Sequence, residues 1–250
     1  MAFIYNSPES LNFERRMRDN IIASARALND SGADFATFKE TRCNERLWTR
    51  TDNGGIQLRA GVSPSAGIND IFGNGQWYAF ECATAMVIIL YKATLDTIGE
   101  QVFNTYFQNL FLWDWNYDNN LQLISTHRPH AFTPGDIVYF KNPDHDPGKP
   151  EWQGENAVLL GPNTYFGHGI GISTGEGIIA ALNQERFPGS VTPAYLTAEG
   201  VHPDFEYIRT LSSRIAPPRA QSGRLEPAVF ARIGARAYIY KPKSGNQPGR

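Results

Sequence analysis

The sequence predicts an α+β domain in which helices come first and an antiparallel sheet follows. Up to about residue 110, apolar side chains recur at helical spacing, whereas beyond residue 120 they gather in short β-prone runs. Proline, glycine, asparagine and aspartate separate these runs, as they do in hairpins. This order favours one layer of helices packed on an antiparallel sheet.

Four helices are predicted before the sheet. The first begins at Ser7-Pro8 and ends near Gly32, because serine caps a helix, proline fits its first turn and glycine ends it. A short second helix opens at Ser63-Pro64, and the third starts within the run Tyr78 to Leu90. The fourth runs from about Gly99 to Leu110, where apolar residues share one side.

The strands are predicted at Leu121 to Thr126, Ile137 to Phe140, Ala157 to Leu160 and Tyr165 to Ile172. Residues 1–210 therefore form a single domain. Residues 211–250 are rich in proline, glycine and arginine and are predicted to be an extension of unassigned function. In it, Ala235 to Tyr240 is strand-like, and a mobile end is expected at Lys243 to Arg250.

Composition excludes several classes of protein. With a formal net charge of −2, the chain has no general attraction for nucleic acid. The longest apolar stretch, Ala83 to Tyr91, ends at Lys92, well short of the roughly 20 residues that cross a bilayer. No secretory signal is recognisable, so synthesis in the cytoplasm without Sec export is expected. Two cysteines are too few for a disulfide scaffold or a four-cysteine zinc site, although one bridge between them is possible.

Cys82 is the candidate nucleophile. It stands, with Glu81 beside it, where polar chain gives way to a long apolar helix. A helix N-terminus carries unpaired N–H groups and partial positive charge, so it favours a thiolate and can donate hydrogen bonds to an oxyanion. The competing interpretation is a small buried core residue, which is the usual place of a free cysteine.

Other polar clusters are weaker candidates. His127 and His130 flank Arg128-Pro129, which indicates an irregular loop rather than a metal site. The run Asp144-His145-Asp146 is predicted to form a solvent-exposed turn. Cys43 does not stand at a predicted helix start, so no role in catalysis is predicted for it. The glycines around His168 do not join a strand to a helix, so nucleotide binding is not expected, and no metal site is predicted.

The later strands add a resemblance to a known fold. Cys82, followed by Pro134-Gly135-Asp136-Ile137-Val138-Tyr139-Phe140 and two further strands, resembles the papain-like fold of NlpC-type cysteine peptidases. In that group, a Gly-Asp strand precedes a strand that carries the catalytic histidine. Here Glu155 stands in that place, and His168 comes with the next strand. Taken alone, either residue would read as an ordinary polar residue.

The sequence resembles spore-coat transglutaminases, the protein-glutamine γ-glutamyltransferases of spore-forming bacteria, more closely. The resemblance runs from about Arg16 to Arg209. Its motifs are Tyr-Ala-Phe-Glu-Cys-Ala-Thr-Ala (78 to 85), Asp-Thr-Ile-Gly-Glu (96 to 100), Tyr-Phe-Lys-Asn-Pro (139 to 143), Trp152 with Gly154-Glu155-Asn156, and Tyr165-Phe166 with His168-Gly169.

This resemblance implies roles for individual residues. Cys82 would be the nucleophile, Glu155 its acid/base partner, Glu81 an assisting carboxylate and His168 a third polar group, without metal or organic cofactor. The implied reaction forms a thioester with a protein glutamine, releases ammonia and passes the acyl group to a lysine of a second protein. The product is an ε-(γ-glutamyl)lysine cross-link.

Elementary electrostatics constrains these roles. Two anionic carboxylates, Glu81 and Glu155, would raise the pKa of the Cys82 thiol. At least one of them is therefore expected to be hydrogen-bonded to another group, to be protonated, or to act as a base only while the sulfur attacks. A cationic His168 would offset the negative charge. Because water would hydrolyse the thioester, a narrow apolar site is expected. The candidates for its lining are Trp77, Tyr78, Trp152, Phe166, Phe35 and Phe38, with core packing the favoured alternative for each except Trp152.

The resemblance also implies partners and a location. The partners would be proteins that present reactive glutamine and lysine, and the location would be the spore coat. Two alternatives stay open at this point. One is a cell-wall cysteine peptidase or amidase of the NlpC type. The other is a structural coat protein with an inactive site, in which Cys82 is dispensable.

Overall fold

A computed structural model describes residues 7–127 and 131–213, together with the backbone of two short strands at 229–233 and 236–240. The chain divides into two compact units, Met1–Ile215 and Ala216–Arg250. The helices are α1 (Pro8–Asp30), α2 (Pro64–Gly73), α3 (Cys82–Ile98), α4 (Glu100–Tyr106), α5 (Gly175–Gln184) and α6 (Phe205–Ser212). Single turns of 3-10 helix lie at Gly75–Trp77, Asn119–Leu121 and Pro150–Trp152.

The strands of the first unit are β1 (Asp34–Phe35), β2 (Trp48–Arg50), β3 (Ile56–Leu58), β4 (Ala79–Phe80), β5 (Phe111–Leu112), β6 (Leu123–His127), β7 (Ile137–Lys141), β8 (Gly154–Gly161), β9 (Thr164–Gly167), β10 (Gly171–Ser173) and β11 (Tyr195–Pro203). The second unit contains β12 (Val229–Ile233) and β13 (Arg236–Tyr240), which pair antiparallel. The predicted strand at Ala235 to Tyr240 is thus one half of a hairpin. The expectation for Lys243 to Arg250 lies outside the described residues.

The predicted helix starts are confirmed. Ser7 caps α1 by accepting a hydrogen bond from the Ser10 N–H, and Ser63 caps α2 in the same way through the Ala66 N–H. The fourth helix is shorter than predicted and ends at Tyr106. The third helix, α3, is buried on nearly all of its surface, so it forms the centre of the main hydrophobic core.

Six strands form the main sheet in the order β10-β9-β8-β7-β11-β6, and every neighbouring pair is antiparallel. Helices α1 and α3 pack against β8 on one face. The sequence predicted a single helical layer, and the structure adds α5, which buries Ile178 and Leu182 against the other face. The predicted run Tyr165 to Ile172 is a hairpin of two strands, and β11 and α6 were not predicted.

An ion pair joins α1 to the start of β7. The Arg18 Nη1 donates to Asp136 Oδ1 at 2.7 Å and to the Pro134 carbonyl at 3.2 Å, and its side chain is almost fully buried. Gly135 between them has a φ of +89°, and a Cβ there would lie 3.1 Å from the Arg18 Cβ. The Gly-Asp sequence therefore lets the strand approach α1 closely and fixes β7, and with it β8, relative to the helices.

Candidate active site

Cys82 is the first residue of α3, and its side chain is only 2% exposed. The preceding strand β4 pairs parallel with β1, so the chain enters the helix in an extended form. Glu81 is the N-cap: its Oε2 accepts a hydrogen bond of 2.8 Å from the Ala83 N–H. Its Oε1 accepts a second hydrogen bond of 3.0 Å from the Cys82 thiol. One carboxylate thus holds both the helix end and the sulfur.

The surroundings of the Cys82 thiol favour its neutral form. Burial raises the pKa of Cys82 well above its ordinary value, and the charges of Glu155 and Glu81 and the hydrogen bond to Glu81 raise the pKa further. The sequence led us to expect that the helix N-terminus would favour a thiolate. That expectation was wrong for the resting site, because burial and the two carboxyls outweigh the helix N-terminus. A base must take the proton as the sulfur reacts.

Glu155 lies near the start of β8 and is 2% exposed. Burial, together with the charge of Glu81, raises the pKa of Glu155 to about 8, against the opposite effect of hydrogen bonds from the N–H groups of Gly169 and His168. Glu155 is therefore largely protonated at neutral pH. A Cβ on Gly167 would lie 2.7 Å from Glu155 Oε1, so glycine is required beside this carboxyl.

His168 follows β9 and faces the chain of β1. Its Nε2 lies 3.0 Å from the Asp34 carbonyl oxygen, and its ring stacks on Phe80 with centroids 4.8 Å apart. The side chain is half-buried, with the ring of Phe35 also close by. Burial lowers the pKa of His168 to about 4, so the imidazole is neutral at neutral pH. A cationic His168 is therefore disfavoured at neutral pH, and Nε2 donates to the Asp34 carbonyl.

A cavity of about 390 Å³ opens onto Cys82. Apolar side chains line part of this cavity, among them Trp115, Ile137, Val138 and Val201. No described lysine or arginine lines it, but four carboxyl side chains do. These are Glu81, Asp114, Glu151 and Glu199. Asp114 has a φ of +50°, and its N–H donates a 2.9 Å hydrogen bond to Thr84 Oγ1 on α3, which holds the residue near the thiol. The cavity therefore favours cationic ligands.

The predicted aromatic lining divides between the site and the core. Trp152 and Phe35 pack together with ring centroids 5.9 Å apart, and Phe35 lies beside His168. The structure places Tyr78 and Phe166 in the hydrophobic core instead, at 0% and 1% exposure. The Tyr78 hydroxyl donates to Asp70 on α2, so it is used by the fold.

The remaining two aromatic candidates lie elsewhere. Trp77 is 45% exposed and lines a separate surface cavity with Cys43. Phe38 packs on Trp113, with ring centroids 5.7 Å apart. Neither residue lines the cavity at Cys82.

Asn156 and Tyr139 also line this cavity, and the sequence analysis gave neither a role in the site. The Asn156 Nδ2 lies 3.4 Å from Cys82 Sγ, within hydrogen-bond range of sulfur. Its cross-strand partner is Tyr139, whose hydroxyl donates to the Gln153 carbonyl at 3.3 Å. The signal for Asn156 was its place beside Glu155 in the motif Gly154-Glu155-Asn156.

The weaker candidates serve the fold. Asp144 accepts hydrogen bonds from the N–H groups of Val191 and Thr192, so its carboxylate holds a loop. His127 is exposed at the end of β6, and His130 lies outside the described residues. Throughout residues 7–127 and 131–213, no cluster of three or more His, Cys, Asp or Glu side chains is arranged to hold a metal ion. Cys43 and Cys82 are both free thiols, so the bridge considered from the sequence is not formed.

Comparison with known proteins decides the family. A family model described as "Protein-glutamine gamma-glutamyltransferase" matches residues 1–212. The chain belongs to this family. A protein-glutamine γ-glutamyltransferase from Bacillus mycoides is 42% identical over 249 residues, which cover 96% of this chain and 87% of that protein. One from Halalkalibacterium halodurans is 48% identical over 194 residues, covering 78% and 68% of the two chains.

A solved structure agrees with this assignment. The transglutaminase from Geobacillus stearothermophilus, without its C-terminal extension, superimposes with a TM-score of 0.78 at 46% identity. The match covers 82% of this chain and 98% of that one. The predicted family and α+β fold are confirmed, and the chain is an acyltransferase. None of the helices in the described part of the chain is long and apolar enough to cross a bilayer.

Proposed function

We propose that this transglutaminase joins protein glutamine to protein lysine through a thioester on Cys82, with Glu81 and Glu155 as its proton-transfer groups. The observation that carries this assignment is the 3.0 Å hydrogen bond from the buried Cys82 thiol to Glu81, at the end of a cavity. Glu155, largely protonated at neutral pH, supplies the acid that the same reaction needs.

Acylation begins when sulfur attacks the side-chain carboxamide carbon of a glutamine. Glu81 takes the thiol proton as the carbon–sulfur bond forms, which avoids a free thiolate in a site that disfavours one. Glu155 gives its proton to the amide nitrogen as the carbon–nitrogen bond breaks. Ammonia leaves, the acyl group stays on sulfur, Glu81 is protonated and Glu155 is ionised.

Deacylation reverses these proton transfers with a different amine. A neutral lysine amine attacks the thioester carbon, and the ionised Glu155 takes its proton. The carbon–sulfur bond then breaks, and Glu81 returns its proton to sulfur. The product is an isopeptide bond, both carboxyls regain their starting states, and every proton is carried by side chains of this chain.

The acidic cavity supports lysine as the acceptor. Asp114, Glu151 and Glu199 attract an ammonium group from solvent. A carboxylate or a neutral group gains no such attraction. The aromatic pair of Phe35 and Trp152, on the side of Glu155 and His168, would shield the thioester from water.

We further propose that the protein substrates belong to the spore coat. The support is the sequence resemblance to spore-coat transglutaminases, carried by motifs such as Tyr78 to Ala85. The test is to incubate the enzyme with extracted coat proteins and, separately, with a lysate of growing cells. Isopeptide-linked peptides should be enriched from the coat fraction, and equal yields from both fractions would contradict the proposal.

The reaction is tested by incorporation of a fluorescent primary amine into a glutamine-rich protein, with EDTA and without added calcium. The native chain should incorporate amine and release ammonia, whereas Cys82→Ala should do neither. Cys43→Ala is the matched control because it removes the other free thiol. Amine incorporation by Cys82→Ala would overturn the assignment, and ammonia release without incorporation would indicate a hydrolase.

A further inference from the structure

We propose that the side-chain amide of Asn156 is an oxyanion donor in this reaction. It would hydrogen-bond the carbonyl oxygen of glutamine as that oxygen becomes negative in the tetrahedral intermediates on Cys82. The proposal deepens the proposed function and rests on Cys82 being the nucleophile.

The placement of Asn156 follows from the register of β8. Asn156 lies opposite Tyr139 on β7, and both side chains line the cavity at the thiol. Its Nδ2 is 3.4 Å from Cys82 Sγ. The carbonyl carbon of the substrate becomes bonded to that sulfur, so its oxygen comes within reach of a donor that now contacts sulfur. Effective oxyanion donors lie about 2.7–3.1 Å from the developing negative oxygen.

The burial of the sulfur explains why a donor is needed. Once Glu81 has taken the thiol proton, and while Glu155 still holds its own, neither carboxyl is charged, and the oxyanion forms beside a residue that is only 2% exposed. A buried negative oxygen is disfavoured unless fixed donors offset it. An amide N–H donates without losing its proton, and therefore leaves the proton transfers between the two glutamates undisturbed.

A second donor is available at the same place. Cys82 is the first residue of α3, and the first N–H groups of a helix have no intrahelical acceptor. The Glu81 side chain satisfies the N–H of Ala83, not that of Cys82. The Cys82 N–H and the Asn156 amide would thus share the oxyanion, with the partial positive charge of the helix end behind them.

A different role for Asn156 must be separated by experiment. In the resting site, a backbone hydrogen bond from Asn156 lowers the pKa of Cys82 against the effect of burial, and the side-chain Nδ2 also lies 3.4 Å from the sulfur. Asn156 could then act on the sulfur alone. Alkylation by iodoacetamide distinguishes the two roles, because it needs the reactive sulfur but forms no tetrahedral oxyanion.

The test compares two rates in the full-length Asn156→Ala variant. These are ammonia release in a single turnover with a glutamine peptide, which reports acylation, and alkylation of Cys82 by iodoacetamide. Acylation should fall about 10²–10³-fold, the usual loss of one oxyanion donor, with KM for the glutamine peptide nearly unchanged. Alkylation should change less than about threefold if the donor acts on the oxyanion.

The control is Asn20→Ala, which removes a 2.8 Å amide hydrogen bond to Thr97, also on α3 but away from the thiol. It should leave both rates unchanged. If Asn156→Ala fails to fold, the similarly shaped Asn156→Leu takes its place. Equal losses of acylation and alkylation, or no loss of acylation, would overturn the proposal. Failure of the proposed function is seen separately, as amine incorporation that does not depend on Cys82.

Discussion

The thiol of Cys82 donates a 3.0 Å hydrogen bond to Glu81, the residue before it, and the same carboxylate caps α3 through the Ala83 N–H. The group that accepts the thiol proton is therefore built into the helix start. The charge of Glu81 also raises the pKa of Glu155. Two carboxyls that repel each other in this way keep different protonation states, and so can act as base and acid in one reaction.

The first prediction concerns the unequal effect of removing each carboxyl. We expect Glu155→Gln to slow acylation about 10³-fold, because glutamine has no acidic proton for the leaving nitrogen. We expect Glu81→Gln to slow it only about 10–10²-fold. Without the charge of Glu81, the pKa of Glu155 falls, and an ionised Glu155 can accept the thiol proton. Single-turnover ammonia release measures both rates.

The pH dependence provides the control for this reasoning. Native acylation should decline as the pH rises through about 8, where Glu155 loses its proton. In Glu81→Gln, where the ionised Glu155 is the base, acylation should instead rise as the pH increases through the lowered pKa of Glu155. A larger loss in Glu81→Gln than in Glu155→Gln, or the same declining profile in Glu81→Gln as in the native chain, would contradict the assignment of base and acid.

The second prediction is that Glu155→Gln stabilises the fold. A glutamate with the ordinary pKa of 4.5 when unfolded and about 8 when folded destabilises the native state as the pH rises between those values. Below about pH 4.5 both states hold the proton, and above about pH 8 the penalty is constant. At neutral pH it amounts to roughly 3 kcal/mol.

Urea unfolding at pH 5 and pH 8 measures this effect. The free energy of unfolding of Glu155→Gln should exceed that of the native chain, by more at pH 8 than at pH 5. Glu100→Gln, an exposed position at the start of α4, is the control and should show no comparable gain. An advantage of Glu155→Gln that is the same at both pH values would mean that the carboxyl is not destabilised by burial.

The helices were predictable because their signals are local. Ser7 and Ser63 each stand before a proline that fits a first turn, and the change from polar to apolar chain marks Cys82 as a helix start. Strand β11 was missed because its sequence, Tyr195–Pro203, has no regular alternation. Its register shifts between Leu196 and Gly200, so a period of two is interrupted within the strand.

The site was predictable as a set of residues but not as a set of charge states. The charges of Glu81 and Glu155 act on Cys82, and the His168 N–H donates a hydrogen bond to Glu155. The sequence could not show that His168 is neutral, because its low pKa arises from burial, which outweighs the opposite effect of its hydrogen bonds to Asp34 and Phe80, far away in the chain. Nor could the sequence show that Tyr78 is buried in the core, since its position depends on a hydrogen bond to Asp70 on another helix.

The third prediction is that His168 positions the site without titrating in it. His168→Gln should slow acylation less than tenfold, and its pH profile between pH 5 and 9 should match that of the native chain, since the pKa of His168 is about 4. Loss of the hydrogen bond to Asp34 and of the stacking on Phe80 should lower the free energy of unfolding by about 1–2 kcal/mol. A hundredfold slower variant, or one that lacks a pH transition seen in the native chain, would show that the imidazole takes part in proton transfer.

The fourth prediction concerns the amine that enters the acidic cavity. In the double variant Asp114→Asn, Glu199→Gln, two of the four lining carboxyls lose their charge. KM for a lysine peptide should rise about 5–10-fold at low ionic strength, because the weaker field no longer concentrates the ammonium group. Added salt should raise the native KM toward that of the variant, since it screens the same attraction. Acylation by the glutamine peptide should be unaffected.

Hydroxylamine is the matched acceptor for this experiment because it is largely uncharged at pH 8. Its KM should be the same in the native chain and in the double variant, and it should not respond to salt. A rise in KM for both acceptors would mean that the substitutions distort the cavity. A rise for neither would mean that the lysine amine reaches the thioester by a route other than this cavity.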